Sequence, residues 1–506
     1  MKSFLVALKI LIMIPVLGTF YYCTPENTDP DPNDENDSIP NYQTDTYINP
    51  IYVPIADEIA DPSVYRYKNR YYLLSTQLYS RYGEGMTVWS STNLVEWEVH
   101  AKVPIIGVVE PILAPELVYH EGTYYLYWSV YPGEVHYAAK YNPGPEDFDP
   151  FGPSATYEIF SYDFLQVDHM VDIDGEIFFD GNDIYMFYCG LGGIHYKELE
   201  SLEESGKSPP AQLTDCSVNN INILPGEVGT NGWTEAPGIF FEDGYYYLTY
   251  SGVHYLRYDY QIHAARGETL ATISPHKPNP LIAKFDGKHN GMGNNNFTLG
   301  PNLVEKYLTY HVKIGAGIHD PASQIDRRLM IDRYEVTAED GILTDAPTLE
   351  DKPVPGSIDW ENNMKYVPSD MHLTGTATAN MEVLSNTIQL TTDETGHAEL
   401  LTDTITASSF VIEGNAKGYS NTNDNSSKYG ISICDGKVRY AIVMGDNLNS
   451  DASLQYYIEG EGWTDTGLLY IKFPVWHKLR IEKYRDTIKF YYDDRYVCKF
   501  SATGLA

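Results

Sequence analysis

The 506-residue sequence is poor in positive charge, in cysteine and in long apolar runs. Lys and Arg number 34 against 70 Asp and Glu, a formal net charge of −36, and no long basic run offsets it. A chain of that sign repels polyanions, which argues against a nucleic-acid partner and leaves neutral ligands such as glycans. The five cysteines, Cys23, Cys189, Cys216, Cys434 and Cys498, show no CxxC spacing, so a thiolate metal site or redox pair has no support. Free buried thiols are expected, with a disulfide between some pair left open. A GxSxG elbow, an HExxH zinc motif, a phosphate-binding loop and a dinucleotide fingerprint are all absent, which argues against the chemistries those motifs serve.

What is abundant is tyrosine, 44 residues of it, within 13% aromatic and 43% hydrophobic residues. Tyr joins a flat apolar ring to a polar tip, which suits strands and sugar-facing surfaces, so a β-rich chain is expected. The length calls for two folded units plus a leader.

One theme recurs five times: "NRYYLLST" from Asn69, "GTYYLYWS" from Gly122, "NDIYMFYC" from Asn182, "GYYYLTYS" from Gly244 and "EKYLTYH" from Glu305. Tyr72, Tyr125, Tyr185, Tyr247 and Tyr307 align at successive spacings of 53, 60, 62 and 60 residues. A period near sixty is too long for a solenoid coil and fits a four-stranded antiparallel blade. Five such blades would close a β-propeller, each soluble only when stacked against its neighbours.

A second theme precedes the first: "ADPSVYRYKN", "APELVYHEG", "IDGEIFFDGND" and "TEAPGIFFEDG". Each sets an acidic residue beside Pro or Gly at the start of a strand that ends in a hairpin turn. One isolated case is explained by turn capping. Recurrence suggests instead that Asp61, Glu116, Asp174 and Glu235 hold equivalent positions and converge on the propeller axis.

In order and spacing these segments resemble glycoside hydrolase family 43, whose five-bladed propellers hydrolyse arabinosides and xylosides of plant polysaccharides. "ADPSVYRYKNRYYLLST", "SSTNLVEWEVH", "APELVYHEGTYYLYWS", "IDGEIFFDGNDIYMFY", "TEAPGIFFEDGYYYLTYSG" and "RRLMIDRYEV" carry the likeness, from about Asn49 to Leu343. The resemblance implies Asp61 as general base, Glu235 as general acid and Asp174 as the carboxylate that tunes and orients the acid. An inverting glycosidase needs base and acid about 6.5–9.5 Å apart, so that water fits between base and sugar. A neighbouring anion such as Asp174 would keep Glu235 protonated near neutral pH.

For substrate the resemblance adds Trp233 as one pocket wall, Glu116 as a ligand of sugar hydroxyls or a support for its neighbours, and Arg328, beside Arg327, as a group reaching in from blade five. The family often has a Gly-His-Asn run near the axis that helps to hold calcium or water. Here the run is "GNNNFT" and Asn294 stands at the histidine position, so no cofactor is required and the axial occupant is water or, if a cation binds, an oxygen-ligated one. The expected activity is an inverting, exo-acting α-L-arabinofuranosidase or β-xylosidase on arabinose- or xylose-containing plant glycans. An arabinanase or galactan-directed enzyme of the same fold, and a non-catalytic glycan-binding propeller, are the alternatives. Fructan-cleaving propellers are a nearer rival, but "IADPS" replaces their Trp-x-Asn-Asp-Pro opening.

Residues 1–23 read as an export signal, with Lys2 and Lys9 and an apolar run ending near Leu17. Cys23 and the acidic, Pro-rich tether of residues 24–45 then resemble a bacterial lipoprotein start, although Phe20, Tyr21 and Tyr22 replace the small residues usual before such a cysteine. The implied location is the bacterial surface, at the outer membrane through a lipid on Cys23, or the medium by ordinary secretion. The catalytic propeller is assigned to residues 46–350 and a Pro-rich linker to 351–369. From 370 to 506, alternating segments such as "VRYAIVM" and "TIKFYYDDRYVCKF" predict an antiparallel β-sandwich, either carbohydrate-binding or a stabilising cover for the propeller. The fold class is therefore all-β, a five-bladed β-propeller followed by a β-sandwich.

Overall fold

The computed structural model describes residues 11–13, 46–56, 58–77, 85–103, 111–130, 135–142, 149–152, 155–166, 172–190, 193–206, 209–217, 234–253, 255–276, 280–283, 286–315, 326–357, 371–375, 379–383, 388–392, 398–402, 409–417, 428–434, 438–445, 454–468 and 475–501. The leader apart from residues 11–13, Cys23, the tether to residue 45, Trp233 and residues 358–369 of the connector lie outside them. No helix among the described residues is long and apolar enough to cross a membrane.

Five four-stranded antiparallel sheets follow one another along the chain, each with its strands hydrogen-bonded in sequence order. Their inner strands are Ala60–Tyr67, Leu113–His120, Asp172–Asp180, Thr234–Glu242 and His289–Leu299, and each contacts the next around a ring that returns from blade five to blade one. The five blades read from the tyrosine repeat are thus present.

Every blade is covered on both faces, so its second strand is apolar on both sides. Tyr71, Tyr72, Leu73 and Leu74 are consecutive and all buried in blade one. Each such side chain contributes about 1.5–3 kcal/mol on burial. The five propeller cores lie between blades rather than within them. Tyr72 and Leu74 of blade one pack with Leu117 and Trp128 of blade two, and Tyr307 and Leu329 of blade five with Leu73 and Trp89 of blade one. A segment ahead of blade one seals that last junction. Tyr47, Ile51 and Val53 join its core, the Ile51 amide donates to the Leu329 carbonyl at 2.8 Å, and Thr46–Tyr47 pairs with Lys352–Pro353.

The C-terminal region holds one sheet containing, in order, Ser409–Ala416, His477–Tyr484, Thr487–Tyr492 and Arg495–Ser501, and a second made of Lys428–Cys434, Val438–Gly445, Leu454–Ile458 and Gly462–Asp465. Tyr456 of the second sheet stacks on Phe500 of the first, as a sandwich requires. This unit seats on the hairpin-turn ends of the inner strands. Arg66 forms a buried bidentate pair with Glu413, Tyr492 donates to Glu121, Asn182 to the Gly467 carbonyl, and Lys489 to Glu242. At Gly122 in the blade-two turn, φ is +85° and an added Cβ would fall 2.7 Å from Val475, so both conformation and docking require glycine.

Candidate active site

All five inner strands carry the same irregularity near their starts. The ladder to the second strand skips two residues, between Ala60 and Ser63, Leu113 and Glu116, Ile173 and Glu176, Glu235 and Gly238, and Gly293 and Asn296. The first skipped residue is left-handed each time: Asp61, Ala114, Asp174, Ala236 and Asn294, with φ from 41° to 58°. The second is Pro62, Pro115, Gly175, Pro237 or Asn295. Proline lacks an N–H and suits a residue that a β-bulge leaves out of the ladder, which is why acidic residues beside Pro or Gly recur in the sequence.

This register corrects the alignment of the four carboxylates. Asp61 and Asp174 sit on the bulge itself, where blades two and four have Ala114 and Ala236. Glu235 precedes its bulge by one residue, and Glu116 follows the equivalent position by two.

A bulged amide needs an acceptor outside its own ladder. In four blades the preceding blade's second strand supplies it. Thr76 Oγ1 accepts from Ala114, Ser129 Oγ from Asp174, Ser251 Oγ from Asn294 and, closing the ring, His311 Nδ1 from Asp61 at 3.2 Å. Blade three departs: Cys189 stands at this place and its thiol donates to the Thr234 carbonyl at 3.1 Å, while the Ala236 amide goes to Asp174 Oδ2 at 3.0 Å. Thr76, Ser129, Cys189, Ser251 and His311 each lie four residues after the aligned tyrosine, so the repeat contained this signal.

Asp61 Oδ2 accepts a 2.5 Å bond from Thr76, and Oδ1 lies 3.5 Å from the Arg327 guanidinium, which also binds Glu58 at 3.1 Å. Asp174 is half-buried; desolvation first, then Glu235 and Asp61, push its carboxyl well above the usual range. The repulsion from Glu235 that raises Asp174 is the same contact through which Asp174 is expected to act on the acid. Glu235 is 5% exposed and its Oε1 accepts the hydroxyl of Tyr260 at 2.6 Å. Arg327 enters the site and Arg328 does not. The two alternate across one strand, Arg327 buried and Arg328 paired with Asp326 away from Asp61.

The bulges of all five blades surround an axial cavity of about 30 Å³, lined among others by Asp61, Asp174, Glu116, Glu176, Asn294 and Asn295. Both Glu116 oxygens accept from the Ile177 amide of blade three, at 3.1 and 2.9 Å, and Asn296 accepts from Val64 of blade one. Glu116 therefore ties two blades together from a buried position. Trp233 lies outside the described residues.

Fold and site together define a five-bladed propeller with three carboxyl groups gathered at the bulged ends of its inner strands. Residues 47–342, more than half of the chain, match the family described as glycosyl hydrolases family 43, and the chain belongs to that family. A thermostable family-43 glycoside hydrolase is similar at 25% identity over 62% of this chain and 100% of its own, with a TM-score of 0.51. An endo-1,4-beta-xylanase from Bacteroides thetaiotaomicron (20% identity, 61% and 99% coverage, TM-score 0.48) and an alpha-L-arabinofuranosidase from Lactobacillus brevis (18%, 62% and 98%, 0.47) are also similar. No curated protein matches the chain.

Proposed function

We propose that the chain is an inverting O-glycosidase of plant cell-wall glycans, exo-acting on α-L-arabinofuranosides or β-D-xylosides. The observation that carries this reading is geometric: Asp61 and Asp174 stand on equivalent left-handed bulges of two blades, and Asp174 Oδ2 accepts from the Ala236 amide, next to Glu235 of a third. Asp61 takes a proton from water as the water oxygen bonds to the anomeric carbon. The glycosidic C–O bond breaks toward the leaving oxygen, and Glu235 supplies the proton that neutralises it. Asp174 holds the backbone beside the acid through Ala236. Arg327, held by Glu58, fixes Asp61.

No step calls on a metal. Calcium takes about six to eight oxygens; at the axis Glu116 and Asn296 each accept a backbone amide and Asn294 and Asn295 offer neutral amides, a set that favours water over a cation. The buried Asn295 amide, which has no hydrogen-bond partner, suits a water there. A chelator is expected to leave turnover unchanged; activity lost to it and restored by Ca²⁺ would overturn this.

The test is hydrolysis of p-nitrophenyl α-L-arabinofuranoside and β-D-xyloside by wild type and Glu235→Gln, with product anomers followed by NMR. Inverted product that disappears in the variant supports the mechanism and names the sugar. No turnover on these, on arabinan or on galactan moves the reading to a glycan-binding propeller. Signal processing, lipidation of Cys23 and surface location are proposed on the leader sequence alone, and mass spectrometry of the mature N-terminus tests them.

A further inference from the structure

We infer that one stacked pair of rings, Tyr260 of blade four on His311 of blade five, holds the general acid and the general base in register. The inference rests on the hydrolase reading above. The rings lie 5.9 Å apart at an interplanar angle of 13°. From one ring the Tyr260 hydroxyl donates to Glu235 Oε1 at 2.6 Å; from the other, His311 Nδ1 accepts the Asp61 amide at 3.2 Å. Both side chains are almost wholly buried. Each is therefore a positioning residue, and the stack links blades four, five and one across the point where the ring of blades closes.

Three further observations show that the pair is built. Gly293 faces Tyr260: a Cβ at residue 293 would fall 1.8 Å from the ring, so blade five gives up a side chain to admit it. His311 stands where the other blades use Thr, Ser or Cys, and only an aromatic acceptor can both cap the bulge and stack. Burial first, then Arg327 and Lys313, keep His311 neutral, so Nδ1 remains an acceptor and the proton sits on Nε2.

The two contacts do different chemistry. A donor on Oε1 leaves Oε2 as the oxygen that carries the transferable proton. That hydrogen bond strengthens as Glu235 becomes a carboxylate, so it favours the transition state over the ground state. On the other side, the His311 acceptor holds the left-handed bulge that aims Asp61 at its water.

The contrast gives the test. p-Nitrophenyl and 2,4-dinitrophenyl glycosides of the sugar that wild type cleaves differ in their need for an acid, since dinitrophenolate departs with little protonation. Tyr260→Phe is expected to lower kcat/KM on the p-nitrophenyl glycoside about 10–100-fold and on the dinitrophenyl glycoside about 2-fold or less. The basic limb of its pH profile should move upward, because the carboxyl has lost a donor that favours ionisation. His311→Leu should lower both substrates equally, about 100-fold, and His311→Asn, whose Oδ1 can stand near Nδ1 but which has no ring to stack on Tyr260, should recover only part of that; full recovery would overturn the role of the stack. Gly293→Ala, whose Cβ displaces the Tyr260 ring from the His311 stack, should lower both substrates, the p-nitrophenyl glycoside more, and serves if Tyr260→Phe does not fold. Equal losses on both leaving groups in Tyr260→Phe, or a lowered Tm with unchanged kinetics in either Tyr260→Phe or Gly293→Ala, would overturn the inference while the hydrolase reading stands. A wild type inactive on every glycoside overturns both.

Discussion

Arg66, on the inner strand of blade one, and Glu413, in the sandwich, form a bidentate ion pair of 3.1 and 2.7 Å with both side chains buried. Arg66 lies two residues before the hairpin turn at Lys68 that follows its strand, while Asp61 lies near the strand's other end, five residues or roughly 16 Å away at the usual rise per residue. Among the described residues, the sandwich meets the propeller at the hairpin-turn ends of the inner strands, opposite the ends that carry the carboxyl groups. Removing one partner leaves the other charge buried and unpaired, so Arg66→Met alone should cost about 3–5 kcal/mol. Arg66→Met with Glu413→Leu should regain most of it. Scanning calorimetry of the three variants checks this, with turnover unchanged in any that fold.

Asp174→Asn is expected to keep the fold, because the amide oxygen can still accept from Ala236, and to lose catalysis. The ionisable carboxyl beside Glu235 is gone, and kcat should fall about 10²–10⁴-fold with KM nearly constant. Steady-state kinetics with circular dichroism separates this from misfolding.

The two adjacent arginines should behave differently. Arg327→Gln removes the guanidinium between Glu58 and Asp61 and should lower kcat/KM at least about 10-fold. Arg328→Gln touches only the Asp326 pair and should stay within about 2-fold. Equal effects would place the blade-five strand in the opposite register.

Stability should fall as pH rises past the ordinary carboxylate range, in part because of Glu176. Burial pushes its carboxyl from 4.5 up to about 8. Between those values the folded chain holds a proton that the unfolded chain has released, so rising pH favours unfolding, and the contribution is complete above about 8. Glu176→Gln, neutral throughout, should flatten this part of the Tm profile between pH 5 and 8. An unchanged slope would remove Glu176 as its source.

The sequence by itself determined the five blades, their order and the strands that bear Asp61, Asp174 and Glu235. Tyrosine periodicity, hairpin turns and the acidic residue beside Pro or Gly are all local, and local backbone chemistry is enough to place them. Tertiary structure decided the rest. The bulge register separates Glu235 and Glu116 from the two aspartates, and strand alternation admits Arg327 while excluding Arg328. Thr76 and Tyr260 were missed in the sequence because hydroxyls are common and gain meaning only from what they face. His311 was missed for a topological reason. Its partner Asp61 is 250 residues away, and the two meet only because the last blade of a closed ring must lie against the first.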